Sequence, residues 1–256
     1  MVGLILGVSS LGLLALLLFS ALRGRFFTKY PLFYVFITGW LMVGLLRFFY
    51  FTLYSLHSVE YTLAYFYTQF LLVAGSYGVL WQIYSHTLNP YPGTAKMAKI
   101  LVTTVFVTVL SQLFITIFVG NGAELTNSVL RLERNLHSTQ AVLISVLITL
   151  VWYYDIPLGR NVQGLLVGHG LFIATRLVTL ALQAILEMSF YAWWYYSEPV
   201  CVFATLLIWS VALREYQPNP MPERELELEQ DYALLAHRTA HALSTARGYL
   251  IRAFLQ

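Results

Sequence analysis

The chain has 256 residues, of which 59% are hydrophobic and 11% charged, whereas a water-soluble globule carries about a quarter charged residues, so these proportions exclude one. A net charge of +3 is too small to mark a nucleic-acid-binding surface, and no nucleic-acid partner is expected. The single cysteine, Cys201, lies in an apolar run; it excludes an intramolecular disulfide and reads as a small packing residue.

A helix needs about 20 apolar residues to cross about 30 Å of hydrocarbon. Stretches near residues 2–22, 31–56, 61–84, 99–119, 132–154, 162–185 and 192–213 meet that requirement. The expected fold is therefore all-α. A polytopic bundle of about seven transmembrane helices fills residues 1–215, and a cytoplasmic amphipathic helical tail fills 216–256. The first stretch lacks a basic start and is too long for a secretory signal, so it counts as a span. Arg23, Arg25 and Lys29 follow it, and Lys96, Lys99 and Arg160 fall in later loops on the same side. The other side carries at most Arg131 and Arg134. Basic loops stay in the cytoplasm, which places the N-terminus outside and the C-terminus inside a cell membrane.

Aromatic residues cluster at the expected span ends: Phe48 to Phe51 and Tyr54, Trp81 and Tyr84, Trp152 to Tyr154, and Trp193 to Tyr196. Such rings anchor helices at the membrane interface. Gly3 and Gly7, and Gly164 and Gly168, have the four-residue spacing that lets helix backbones approach, here within the bundle rather than between copies. After the prolines of 218–222, acidic residues Glu223 to Asp231 precede Arg238, Arg247 and Arg252. That polarity suits a helix dipole. Leu228, Tyr232, Leu235, Leu243, Ala246, Leu250 and Phe254 recur at helical spacing. The apolar stripe of 222–256 needs a cover: lipid, the inner face of the bundle, a second copy or a protein partner.

Charged and amide side chains inside spans are costly and are functional candidates by default. At 1.5 Å per residue, Arg47, Gln69, Gln140, Arg176 and Glu198 lie about 10–13 Å below the outer ends of five different spans. Span six adds His169 and Gln183 on the Arg176 face. Span five adds Arg131, Arg134 and His137 leading to Gln140, and span three adds Thr62, Tyr65 and Ser76 near Gln69. Two arrangements satisfy these residues. One is an outward-opening pocket in which Arg47, Arg134 and Arg176 face the single acid Glu198, with Gln69, His137 and Gln140 in support. Such a pocket takes an anionic or polar small molecule or a lipid headgroup, because guanidinium forks match carboxylates and phosphates. The other is an internal polar network with no ligand.

No cofactor is expected. A retinal Schiff base needs a lysine within the bundle, and Lys29, Lys96 and Lys99 all fall at loops or span ends. Haem between helices needs histidines at matched depth, and neither His57 with His137 nor His86 with His169 makes a compelling pair. Metal-ligand clusters, HExxH, GxSxG and phosphate-cradling loops are absent. The outer acids Glu60, Glu124, Glu133 and Glu187 are scattered, so nothing nominates an enzyme.

The stretch Glu133-Arg134-Asn135-Leu136-His137-Ser138-Thr139-Gln140 resembles the E-R-x-L-R-x-x-Q segment of a group of uncharacterised seven-span membrane proteins common in Acidobacteria. Tyr30 to Phe33 and Tyr65 to Tyr67 are similar to that group's aromatic openings of spans two and three, and Gly168 to Phe172 to its sixth span. The likeness covers residues 1–215, with His137 in place of the usual arginine, and it implies architecture more than mechanism. The layout is also similar to seven-span sensor regions of bacterial histidine kinases, and 241–250 faintly resembles the start of a dimerisation helix, without its acidic residue and proline. These readings lead to an expected sensor-like or ligand-binding membrane protein. The alternative is a scaffold that binds lipids, a protein partner or a second copy of itself through its tail.

Overall fold

The structure, a computed structural model, describes residues 2–24, 26–54, 58–119, 125–220 and 229–242. Side chains are described at fewer positions; those of 183–196 and of Glu198 are among the ones left out. The described residues are all-helical, without a strand. The elements are α1 (Val2–Gly24), α2 (Phe26–Lys29), α3 (Pro31–Leu53), α4 (Val59–Thr87), α5 (Pro92–Val119), α6 (Leu125–Tyr153) and α7 (Arg160–Ala212), followed by a tail helix α8 over 229–242. Local chemistry sets several starts. Pro31 and Pro92 open α3 and α5, where a missing N–H costs nothing. Ser58 caps α4 by accepting from the Tyr61 N–H at 3.1 Å. Past the end of α6, Asp155 takes a left-handed φ of 50°, which a short polar side chain tolerates.

α7 departs from the expected pair of spans joined by a loop over 186–191. Its backbone is helical through that stretch, which holds no proline or glycine. A straight helix of its 53 residues would run about 80 Å. Yet its two ends lie side by side. Gly164 faces Ala212 and Gly168 faces Trp209. Asn161, fully buried, donates to the carbonyls of Ala212 (2.6 Å) and Glu215 (2.8 Å) and accepts from the Gln217 N–H (2.5 Å). The register of these contacts is antiparallel, so the two ends of α7 pair as two arms. Gly164 and Gly168 are the contact points that admit the second arm. The surroundings of Gly3 and Gly7 lie outside the described residues.

Neighbouring registers fix the rest. α3 runs antiparallel to α4: Arg47 meets Tyr65 to Gln69, and Phe33 meets Gln82. α4 and α6 run parallel and repeat the same contact every seven residues. Tyr77 Oη donates to the Leu136 carbonyl (3.1 Å) and Tyr84 Oη to that of Leu143 (2.5 Å). Seven residues is nearly two helical turns, so the same faces return to each other. Tyr84 is thus a core residue, 2% exposed, and not an interfacial anchor; an acceptor on α6 draws it inward. Trp152 and Tyr153 stay on the outside, as do Phe48, Phe49 and Tyr54.

The surface is apolar around the bundle. Phe19, Leu22, Val35, Met42, Leu45, Leu71, Ile100, Ile115, Val142, Ile148, Val167 and Val211 are all exposed. Exposed apolar side chains in such number suit a lipid surround. Three helices among the described residues are long and apolar enough to cross a membrane: Pro31–Tyr50, Glu133–Tyr153 and Arg160–Leu182. Ser9–Gly24 and Pro199–Ala212 are shorter apolar helices.

Candidate functional site

A continuous chain of polar side chains crosses the bundle interior through α3, α4, α6 and the first arm of α7. It starts at Arg47, whose Nε donates to Thr68 Oγ1 (2.9 Å) and whose Nη2 donates to the Tyr65 carbonyl (3.2 Å) and to Gln69 Oε1 (3.0 Å). The same guanidinium lies 4.3 Å from the centre of the Tyr65 ring. Gln69 Nε2 donates to Glu133 Oε1 (2.6 Å), and His137 Nε2 lies 3.7 Å from that oxygen. His137 Nδ1 bonds Gln140 Oε1 (3.1 Å), Gln140 Nε2 donates to Ser76 Oγ (2.9 Å), and Ser76 Oγ meets His169 Nε2 (3.4 Å). The heptad register of α4 against α6 aligns two rungs, Gln69 with Glu133 and Ser76 with Gln140.

Burial makes these bonds count, because an amide or carboxylate inside an apolar bundle is costly unless paired. Gln69, Ser76, Glu133, His137, Gln140 and His169 are all buried. His169 ends the chain inside an aromatic cage, stacked on Phe172 and Trp209 and edge-on to Phe36. His137 Nε2, His169 Nδ1 and Trp209 Nε1 have no hydrogen-bond partner among the described residues. Arg176 stands next to the chain, its guanidinium 5.9 Å from the Phe172 ring centre. It is close enough to Glu133 and to Arg47 for their charges to interact. Where Gln69, His137 and Arg176 converge with Trp40 and Phe172, the packing leaves a gap of about 10 Å³, roughly what one water needs.

The structure therefore brings together Arg47, Gln69, His137, Gln140 and Arg176 from the expected layer. It separates Arg134, which is exposed, because Arg134 lies about 100° around α6 from Glu133. The side chains of Glu198, Gln183, Thr62 and Arg131 lie outside the described residues. The described acid of the layer is Glu133, not an isolated member of a scattered outer set. Its position was readable: Glu133, His137 and Gln140 fall four and then three residues apart, on one helical face. Among the described residues no three histidines, cysteines or carboxylates gather into a metal-binding group. Compared with known proteins, the chain matches no family model, no curated protein and no solved structure.

Proposed function

We propose that the chain is a seven-span integral membrane protein of sensor-like character, which receives an anionic or polar ligand at the Arg47 and Arg176 level of its polar layer. The alternating directions of α3, α4, α6 and the two arms of α7 support seven crossings, with α1 and α5 supplying the remaining two. The observation that carries the ligand reading is the convergence of two guanidiniums, Arg47 and Arg176, on one layer with Gln69, Glu133 and His137, since guanidinium forks match planar anions. The gap beside Arg176 holds no such ligand as packed. Entry therefore replaces Arg47's present bonds to Gln69 and Thr68, and that exchange is what the rest of the chain feels. The experiment is native mass spectrometry of the gently purified protein, with bound small molecules identified after release. A stoichiometric anion, lost in Arg176→Ala at unchanged melting temperature, is the expected result. A protein carrying only bulk lipid, or a variant that merely unfolds, would sink the ligand reading in favour of an internal network.

A scaffold role is the second reading, and one observation favours it. Leu234 and Leu235 on α8 are 52% and 60% exposed, a face that a protein partner or second copy would cover. Removing residues 221–256 tests it, since Tyr216 to Asn219 belong to the bundle: Tyr216 packs on Phe26 and Lys29, and Asn219 bonds Gly159 and His86. A scaffold loses its partners on this truncation, whereas a ligand site in the bundle keeps its affinity.

A further inference from the structure

A wide cleft lies away from the polar layer. Its volume is about 740 Å³, and it sits at the opposite end of the bundle, where Lys29, the end of α4, the start of α5 and the residues after α7 collect. α3 and α5 both pack on α4 and not on each other, so α4 forms the floor of a groove between them. Trp81, Gln82, Ser85 and His86 line that floor; Lys29 to Leu32 form one wall and Lys99 the other. Two amide side chains hold the cleft open. Gln82 accepts from the Phe33 N–H (2.8 Å) and donates to the Lys29 carbonyl (3.4 Å). Asn219 accepts from the Gly159 N–H (2.9 Å) and donates to the His86 carbonyl (2.9 Å), seating Pro218 to Pro220 over the cleft's aqueous side.

Among the described residues the lining carries two lysines, one histidine and no carboxylate. Neither lysine has an ion-pair partner among the described residues. Lys29 Nζ rests 5.0 Å from the Tyr216 ring centre and Lys99 Nζ 5.6 Å from that of Trp81. An ammonium on a ring face keeps its charge available to an anion. Tyr30 lies buried in the wall, and burial, followed by the nearby Tyr216, pushes its phenol up to about 12, so it stays a neutral donor. Beside this polar mouth the surface turns apolar at once. Val35 on α3 and Met97, Ile100 and Leu101 on α5 are exposed. A polar basic cleft that opens between apolar helix faces suits an amphiphile whose charged end enters while its chains stay outside.

We propose that this cleft binds the phosphate ester of an anionic headgroup, with Lys29 and Lys99 as its cationic pair. The ester is borne by a membrane phospholipid or by a small soluble molecule, and the two share the same contacts. The site is separate from the polar layer, so either reading can fail without the other.

The test titrates the purified full chain in detergent with phosphatidylglycerol, with neutral phosphatidylcholine, and with sn-glycerol 3-phosphate, and counts bound molecules by native mass spectrometry. Phosphatidylglycerol is expected to bind at one site and phosphatidylcholine only weakly. Lys29→Gln/Lys99→Gln should weaken that site about twenty-five-fold, from roughly fivefold per lysine, and Lys29→Arg/Lys99→Arg should restore it. Asn89→Trp, at an exposed position on the cleft's rim, should block it without touching either lysine. It decides the matter should the double glutamine variant fail to fold. If sn-glycerol 3-phosphate binds with the same dependence on the lysines while the lipid does not, the ester is a soluble one. Wild-type affinity in either folded variant, or equal affinity for phosphatidylcholine, overturns the proposal.

Discussion

On α6, Glu133 and Arg134 compete for one inward position. Counted at 100° per residue, Glu133 lies about 20° from Gln140 around the helix, whereas Arg134 lies about 120° away. Spacing by threes from Arg131 to Gln140 follows a stripe that drifts off the buried face, and this is why Arg134 was expected in the layer and Glu133 was not. Hydropathy reinforced the error, since a carboxylate near a span end reads as a loop residue until an amide such as Gln69 is seen to meet it. The consequence for stability is asymmetric. Glu133→Leu removes the acceptor of Gln69 Nε2 and the neighbour of His137 Nε2, and leaving such groups unmet costs about 1–3 kcal/mol. Glu133→Gln keeps an acceptor and should lose less. Arg134→Ala, at an exposed site, should stay within about 0.5 kcal/mol. Denaturant unfolding of the three variants in the same detergent measures this order, and an Arg134→Ala loss equal to that of Glu133→Leu would contradict it.

Elements were legible where hydropathy and turn chemistry agree, as at Pro31, whereas Pro92 opens α5 inside the loop expected over 85–98. They were not legible in α7, whose backbone stays helical through 186–191 while its two ends pair side by side. Gly164 should be intolerant for that reason. A Cβ there collides with Ala212, so Gly164→Val is expected to separate the arms and to lower the melting temperature by several degrees, while Gly12→Val, with nothing near its Cβ, leaves it unchanged. The tail is held by its first turn. Glu229 Oε1 accepts from the Gly93 N–H (2.7 Å) and from the Thr94 N–H (3.4 Å), placing a carboxylate on the positive end of α5. Tyr154 Oη donates to Asp231 (3.1 Å). A carboxylate at such an end contributes about 0.3–1 kcal/mol, so Glu229→Gln should speed tryptic cleavage after Arg238 about two- to fivefold. An unchanged rate would mean that the latch holds little.

For the molecule as a whole, the sequence conveyed the helical class and the apolar character of the helices, because both follow from composition. It did not convey the parallel register of α4 and α6, which depends on which side chains find partners across the interior. The proposed topology makes a direct prediction. In a Cys201→Ala background, Ser58→Cys should react with an impermeant maleimide from outside intact cells, and Asn89→Cys only after the membrane is opened. Reaction of both from one side would rule out the alternation of spans.

α1 packs against α7, and Leu14, Leu17 and Ala21 are buried. Its partner begins about 135 residues further along the chain than α1 ends, and ribosomes add about 5–20 residues per second. The first helix therefore waits on the order of ten seconds or more for the surface it is shaped to meet. Throughout that interval only α2 and α3 cover part of its inner face. A chain halted before α7 would leave α1 without its most extensive partner.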